Sequence, residues 1–568
     1  MRGQWSADPA ELEHAHEREP RNRGQGRPWK PGGPVPAPVI STLPVRSRSR
    51  GRWDGDGMGG DRMTFVRRLA EFAVACRDGE LPAAVREDVP GRVLDVLGNC
   101  LAAYADPDGD AAPAVLRAVR RWGGAGEATA IGSGDRLPAP SAALVNGTLA
   151  HALDFDDTHL PSVLHPSASV VPAALAAAQS MAALRADPAT GQDASHAQPD
   201  VPGMRPDVPG MRPDAAQRVG ASGVELIAAV AAGVEVCGRL GMASYLPQER
   251  NSLFFEQGQH ATSICGTLGA AVAAGVLFGL TADGIAHAVG VAASMGAGLL
   301  EANRTGGTVK RVHCGWAAHA GVSAAVLAAE GLTGPPTVLE GRFGFFQAWL
   351  GGRYDAEALL EGLGERWELL RTVYKPYPTN HFTHPVIDCA LALQRGGLDP
   401  SRIAEVEVGV PGPVLRTIAE PWEEKVRPRS PYHAKFSAPY TVAAALLGGG
   451  GLGLALEDFA ALDPARLELA GRVRCVADER ASEIFPKAFA AVVRVRLRDG
   501  STLEHRVDSS RGGPEHPLSA AELETKFRSN AGRALPEGQV GELAEAVTKL
   551  GAGGTADDVL ARTVRAAS

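Results

Sequence analysis

Residues 264–280 read ICGTLGAAVAAGVLFGL, seventeen positions without a charge and crowded with glycine and alanine. A run of that length is marginal for crossing a bilayer, and its small side chains suit a helix against which other helices pack closely. Runs of the same kind recur in VELIAAVAAGVEVCGRL, TADGIAHAVGVAASMGAGLL and GWAAHAGVSAAVLAAEGL. Upstream, TFVRRLAEFAVACRDG places Phe65, Leu69, Phe72 and Val74 near one face. Thr281 followed by Asp283 predicts a helix start, and Gly331 a stop. The body of the chain is therefore expected to be mainly α, with no membrane span.

The period changes after about residue 400. In RIAEVEVGVP, Val406, Val408 and Val410 alternate with Glu405, Glu407 and Gly409; in VVRVRLRDGSTLEHRVD, Val493, Val495 and Leu497 alternate with Arg494, Arg496 and Arg498. Such alternation predicts strands of a half-buried sheet, with Asp499-Gly500 as a two-residue hairpin turn. SAPYTVAAALL and ALEDFAALD read as helices between the strands, which makes this part a smaller α/β (α+β) unit. Ser519, followed three residues later by Glu522, opens a last helical stretch with a capping-box pattern.

Two segments lack periodicity. Residues 1–62 are rich in Pro, Gly and Arg, carry no apolar run of the kind a secretory signal needs, and read as a disordered extension with a native start near Met58 or Met63. Residues 183–220 contain a tandem heptapeptide, VPGMRPDVPGMRPD, and read as a disordered insert in a surface loop, since two repeats are too few to stack. The expected division is thus a helical domain over 63–371 interrupted by that insert, an α/β lid over 372–515, and helices over 516–568 returning to the helical domain. A net charge of -8 gives no general attraction to nucleic acid, and RSRSRGR in the first segment reads as a solvated tail. Seven scattered cysteines form no metal-binding or disulfide pattern and fit free thiols in the cytoplasm.

Residues 151–167, HALDFDDTHLPSVLHPS, hold the densest cluster of reactive side chains. Asp154, Asp156, Asp157, His159 and His165 have donors for a metal, but no established ligand spacing is present. DFDDT matches the DxDDT signature of class II terpene cyclases, yet the chain is only 5% aromatic, too little for a cavity that stabilises carbocations. A solvated, helix-capping turn is the bland reading. Against it stand Leu153, Phe155, Leu160, Val163 and Leu164, which would hold several of these groups partly buried, where ionisation is perturbed.

The block ALVNGTLAHALDFDDTHLPSVLHPSASVVPAALAAA resembles the signature of the MmgE/PrpD family of 2-methylcitrate dehydratases and cis-aconitate decarboxylases. Four more blocks resemble the family in the same order: QGQHATSICGTLGAAVAAGVLFGLT, then SMGAGLLEANRTGGTVKRVHCGWAAHAGVSAAVLAAEGLTGPPTVLEGRFGFF, then VYKPYPTNHFTHPVIDCALAL, then RGGPEHPLSAAELETKF. The likeness spans residues 63–568 apart from the insert. It implies a homodimer with a large all-helical domain and a smaller lid, an active site between them, and no metal or organic cofactor.

Carried over residue by residue, the resemblance implies Asp154, Thr158, His165 and His260 as catalytic residues, with Lys310 and Lys375 binding substrate carboxylates. Substrates of this family are small di- and tricarboxylates, and removing a proton or CO2 beside a carboxylate develops negative charge that cations must stabilise. A dyad of His165 with Asp154 would orient the imidazole, His260 would serve as partner acid or base, and the two lysines would act as point charges. KPYPTNHFTH departs from the decarboxylase pattern: His381 follows Lys375 by six residues where that pattern has five, and Asn380 takes the gapless place. His381 is kept as a substrate-binding candidate. The resulting expectation is a metal-independent dehydratase. Its alternatives are an epimerase or decarboxylase on the same fold, or a catalytically silent small-molecule-binding dimer.

Overall fold

The computed structural model describes residues 63–107, 109–186, 221–246, 251–302 and 307–566. Both the expected N-terminal extension and the tandem heptapeptide lie outside the described residues. Helix α5, given below, runs to Ala186, so the expected insert begins later than residue 183. An alanine-rich run has no local reason to stop where the sequence composition first loosens.

The principal helices of the first part are α1 (Phe65–Asp78), α2 (Ala83–Tyr104), α3 (Ala111–Trp122), α4 (Ala139–Ala152), α5 (Ser167–Ala186), α6 (Gly223–Ala243), α7 (Ala261–Leu277), α8 (Ala282–Ala292) and α9 (Val309–Ala329). Local chemistry sets several of their ends. Ser222 and Glu225 close a capping box on α6, the Thr281 side chain accepts from Gly284 N at the start of α8, and Gly331, with φ 94°, follows α9. Every residue of α7 is buried, as its uncharged sequence requires. α6 and α9 are long and apolar enough to cross a membrane by length and composition, but 94% and 61% of their apolar windows are buried inside the chain.

Glycine sets how closely these helices approach. A Cβ on Gly315 of α9 would lie 2.3 Å from the Leu144 carbonyl oxygen of α4, and one on Gly147 of α4 would lie 2.8 Å from the Cys314 oxygen. α6 and α7 meet the same way through Gly233 and Gly269. On α1 the buried residues are Val66, Leu69, Ala70, Phe72, Ala73 and Cys76, while Phe65 and Val74 sit at its half-buried margin. The expected stripe is thus rotated, because small Ala70 and Ala73 occupy its centre.

A four-stranded sheet forms the second part, from β3 (Ile403–Val410), β4 (Val473–Ala477), β5 (Ala491–Leu497) and β6 (Thr502–Val507), in the order β6-β5-β3-β4. β3 pairs parallel with β4 and antiparallel with β5, and β5 pairs antiparallel with β6. Val406, Val408, Val493 and Val495 are buried, while Arg494 reaches Glu407 and Glu504 and Arg496 reaches Glu405 on the other face. The hairpin is looser than a two-residue turn. Arg496 pairs with Thr502, and Leu497 N donates to Ser501 O at 2.8 Å, leaving a three-residue loop that ends on Gly500 at φ 88°. Helices α10 (His384–Arg395) and α11 (Ala438–Leu447) cover this sheet; ALEDFAALD forms only a 3-10 turn over Leu456–Phe459.

Two large hydrophobic clusters result. One gathers α1 to α9 together with Phe527, Val540, Leu543 and Val547 of the C-terminal helices α12 (Ala520–Ala531) and α13 (Glu537–Thr548), and Leu550 of the 3-10 turn that follows. The other gathers the sheet, α10 and α11. They meet at a short ladder, β1 (Thr158–His159) against β2 (Thr372–Val373), beside which Leu160 belongs to the second cluster although its neighbour Phe155 belongs to the first. All seven cysteines are free thiols.

Candidate active site

Helix α4 ends at Ala152, and the chain then reverses through Asp154 at φ 57°, a left-handed conformation that aspartate tolerates better than most residues. The carbonyls of this turn have no helical partner, and lysines satisfy three of them in succession. Lys435 Nζ donates to Leu153 O at 3.1 Å, Lys375 Nζ to Asp154 O at 2.8 Å and Lys526 Nζ to Phe155 O at 2.9 Å. Cations suit the negative end of a helix dipole, so the turn draws them together.

The three aspartates point three ways. Asp154 faces two lysines: Lys310 Nζ donates to its Oδ1 at 3.2 Å, and Lys375 Nζ lies 3.5 Å from its Oδ2. Burial would raise this carboxyl, but Lys375 and Lys310 outweigh burial and hold it below the ordinary carboxylate range. Asp156 accepts from His151 Nδ1 at 2.7 Å, and it too is held down, because His151 and His165 outweigh burial. Asp157 accepts from Arg92 at 2.8 Å and from the Ser167 hydroxyl at the start of α5; burial pushes it up to about 6, against the pull of Arg92. Asp157 is thus an anchor for α2 and α5 rather than part of the reactive group.

Four imidazoles run on from Asp156, which contacts His151 and His165. Ring centroids lie 5.3 Å apart for His151 and His165, 5.6 Å for His151 and His260, and 4.9 Å for His260 and His313. His165 Nδ1 lies 2.6 Å from the Asp157 carbonyl oxygen, 3.3 Å from Thr158 Oγ1 and 3.8 Å from Asp156 Oδ2. A carbonyl only accepts, so Nδ1 carries the hydrogen and Nε2 is left as a lone-pair acceptor. The expected dyad of His165 with Asp154 is therefore replaced by contacts to Asp157 O and Thr158, since the Asp154 side chain is turned toward the lysines. Burial lowers His165 to about 4, with Asp156 opposing and Lys375 reinforcing the shift, so its ring is neutral near pH 7.

His260 precedes α7, and its Nδ1 lies 2.9 Å from His313 Nδ1 of α9; one nitrogen must donate and the other accept. Burial lowers both, His260 well below the usual range and His313 to about 4. His381 stacks on His384 at 4.3 Å, and neither of its ring nitrogens has a partner among the described residues, although the residue is 5% exposed. Asn380 is occupied in capping the short turn that follows, accepting from Phe382 N at 3.1 Å. His159 is bound to Ser162 and Glu368 and lies apart from the imidazole group.

The fold thus brings Asp154, Thr158, His165, His260, Lys310 and Lys375 into one buried neighbourhood, where Lys375 and His165 both perturb His381. Sequence reasoning left out His151, His313 and Lys435. His151 was visible in the HALDFDD stretch, five residues before Asp156, a spacing that brackets the turn; the other two gave no local signal. His151, Asp156 and Cys314 offer ligand atoms within 4.8 Å of one another. Within that trio His151 Nδ1 and Asp156 already bind each other at 2.7 Å, and burial raises the Cys314 thiol.

Residues 67–357 match the model of the MmgE/PrpD N-terminal domain, and residues 377–551 match that of the MmgE/PrpD C-terminal domain. The chain is 31% identical to a cis-aconitate decarboxylase of Homo sapiens over 427 residues, 73% of this chain and 77% of that protein. A cis-aconitate decarboxylase of Mus musculus is 30% identical over 422 residues, covering 73% and 76%. One from Aspergillus terreus is 26% identical over 491 residues, covering 82% and 90%.

Proposed function

The chain belongs to the MmgE/PrpD family, and from that premise we propose that it is a lyase that removes a proton beside a carboxylate of a small di- or tricarboxylate, without a metal. The observation that carries this reading is the state of His165: its Nδ1 is tied to the Asp157 carbonyl, its Nε2 is free to accept, and two lysines stand across Asp154. In dehydration, His165 Nε2 takes the proton from the carbon next to the carboxylate. The electron pair forms the new double bond, and hydroxide leaves the adjacent carbon as water, taking back the proton that His165 has removed. Lys310 and Lys375 stabilise the charge that builds on the substrate carboxylate.

Decarboxylation is the second reading, supported by the activity named for the relatives. There CO2 leaves with its bonding electrons remaining on carbon, and an imidazolium returns a proton to that carbon. Asn380 at the gapless place in the lid block weighs against it, and His381, with both ring nitrogens unpartnered, weighs for it. We further place the protein in the cytoplasm as a homodimer, which sedimentation of the purified chain tests, and take residues 372–515 as its lid.

Incubating the protein in deuterated water with citrate-like, aconitate-like and aspartate-derived acids, read by NMR, separates the reactions. Elimination gives an olefin, decarboxylation a lost carboxyl with one deuterium gained, and epimerisation exchange with no net change in composition. No conversion and no exchange with any acid would overturn the reading. Activity is expected to survive exhaustive EDTA treatment; loss restored by a divalent ion would reverse the assignment of His151 and Asp156 to proton chemistry.

A further inference from the structure

Four buried lysines converge on the Asp154 turn, and their partners differ. Lys310 and Lys375 share the Asp154 carboxylate, and Lys526 has Asp95 at 2.6 Å. Lys435 has no carboxylate within ion-pair distance among the described residues, although it is 6% exposed. An ammonium carries three donors. One of those on Lys435 goes to Leu153 O at 3.1 Å, and the other two have no acceptor among the described residues.

A buried ammonium that lacks a counter-ion is costly unless something anionic completes it. Two carboxylates attract Lys435 without pairing with it, Asp154, which Lys310 and Lys375 share, and Asp106, while Arg311 and Lys375 repel it. Burial and those cations together lower it to about 8. Its neighbour Lys375 binds the next carbonyl along the same turn, so the two ammonium groups address adjacent positions of one site. Tyr432, three residues before Lys435, stacks on Arg311 at 4.3 Å and fixes the surrounding chain.

We propose that Lys435 is a third carboxylate anchor of this site, the residue by which it prefers a tricarboxylate over a dicarboxylate of the same carbon chain. This rests on the polycarboxylate reading above and deepens it. Lys310 and Lys375 are each partly neutralised by Asp154 and accommodate the two carboxylates common to both ligand types. Lys435 is the cation left without an acid and takes the extra one. As a compact point charge it needs no bidentate geometry, so arginine in its place retains the anchor.

Propane-1,2,3-tricarboxylate and glutarate differ by a single carboxylate and serve as the probe pair, with binding read by calorimetry on the full chain. Wild type is expected to bind the tricarboxylate at least tenfold more tightly. Lys435→Met should erase that preference while leaving glutarate affinity within about twofold, and Lys435→Arg should retain most of it; circular dichroism and melting confirm that both variants are folded. If Lys435→Met keeps the preference, or weakens both ligands equally, Lys435 merely caps the α4 turn and the proposal fails while the polycarboxylate reading stands. If wild type binds neither acid, that reading falls and the proposal with it. Should Lys435→Met fail to fold, loss of the preference in folded Lys435→Arg overturns the proposal and its retention supports it.

Discussion

At the scale of single residues, the chemistry depends on which lone pairs the fold leaves open. His165 has Nε2 free and is lowered to about 4, so it acts as a base over a wide range. His165→Ala should reduce kcat about a hundredfold or more with a smaller change in KM, because it removes proton transfer rather than carboxylate binding. A folded variant with wild-type kcat would return this stretch to a structural role. In wild type the acid limb of kcat/KM should lie near pH 4 rather than at the ordinary imidazole value near 6.5. The Asp156 charge raises His165, so Asp156→Asn, which keeps an acceptor for His151, should move that limb to still lower pH and cut kcat by about tenfold. A limb unmoved in this variant would separate Asp156 from the base. The presence of these residue types was legible in HALDFDDTHLPSVLHPS, and so was their burial, from the apolar side chains between them. The pairing was not legible, because the positive φ at Asp154 turns successive carboxylates toward different partners, two of them far away in the chain, Lys310 and Arg92, and one, His151, just across the turn. Residue spacing carries no information about such a reversal.

At the scale of elements, the small residues that marked the helices also position the catalytic groups. Gly315 lets α9 lie directly on α4, and that contact sets where Lys310, in the first turn of α9, stands relative to Asp154, just past the end of α4. Gly315→Ala would drive a methyl group into the Leu144 carbonyl and the Thr148 hydroxyl, each 2.3 Å from the new Cβ. Overpacking of this kind destabilises by about 1–3 kcal/mol. The variant should melt lower and, because Lys310 is displaced, raise KM more than it lowers kcat. An unchanged KM with a lowered Tm would mean that the contact supports the fold alone. Helix type was readable here because α6, α7 and α9 are long and uniformly small. Short elements were less readable: ALEDFAALD has helical composition but is held as a 3-10 turn by Asp458, which accepts from Ala455 N at 2.8 Å and from Arg466. The hairpin loop gained a residue because the sheet register, set by Val493 and Val495 facing the core, fixes where pairing ends, and Asp499-Gly500 alone does not.

At the scale of the whole molecule, the site draws on both hydrophobic clusters. His165, His260 and Lys310 come from elements of the helical cluster, whereas Lys375, His381 and Lys435 follow or flank elements of the sheet cluster. The sequence disclosed the change of period near residue 400 that separates these two packings, but β1 and β2, which join them, are two residues each and have no periodicity to read. Asp154, Asp156, Thr158, His260, Lys375 and His381 are all 5% exposed or less, while the side chains of His165 and Lys310 are 14% and 11% exposed, so the base and one lysine stand where the site meets solvent. A polycarboxylate that spans cations from both clusters then binds the folded chain and not the unfolded one. By linkage, ligand at a hundred times its Kd adds about 2.7 kcal/mol. With an unfolding entropy of roughly 2 cal/mol/K per residue, a chain of this size should show a rise in Tm of about 2–3 °C. Lys310→Ala and Lys375→Ala should each shrink that rise at fixed ligand concentration, since each removes one of the two cations that share Asp154 from a different side of the site. Melting curves of the three proteins with and without propane-1,2,3-tricarboxylate test this. A rise of equal size in all three would place the ligand elsewhere on the molecule, and no rise in wild type would mean that the gathered cations serve only to hold the Asp154 turn.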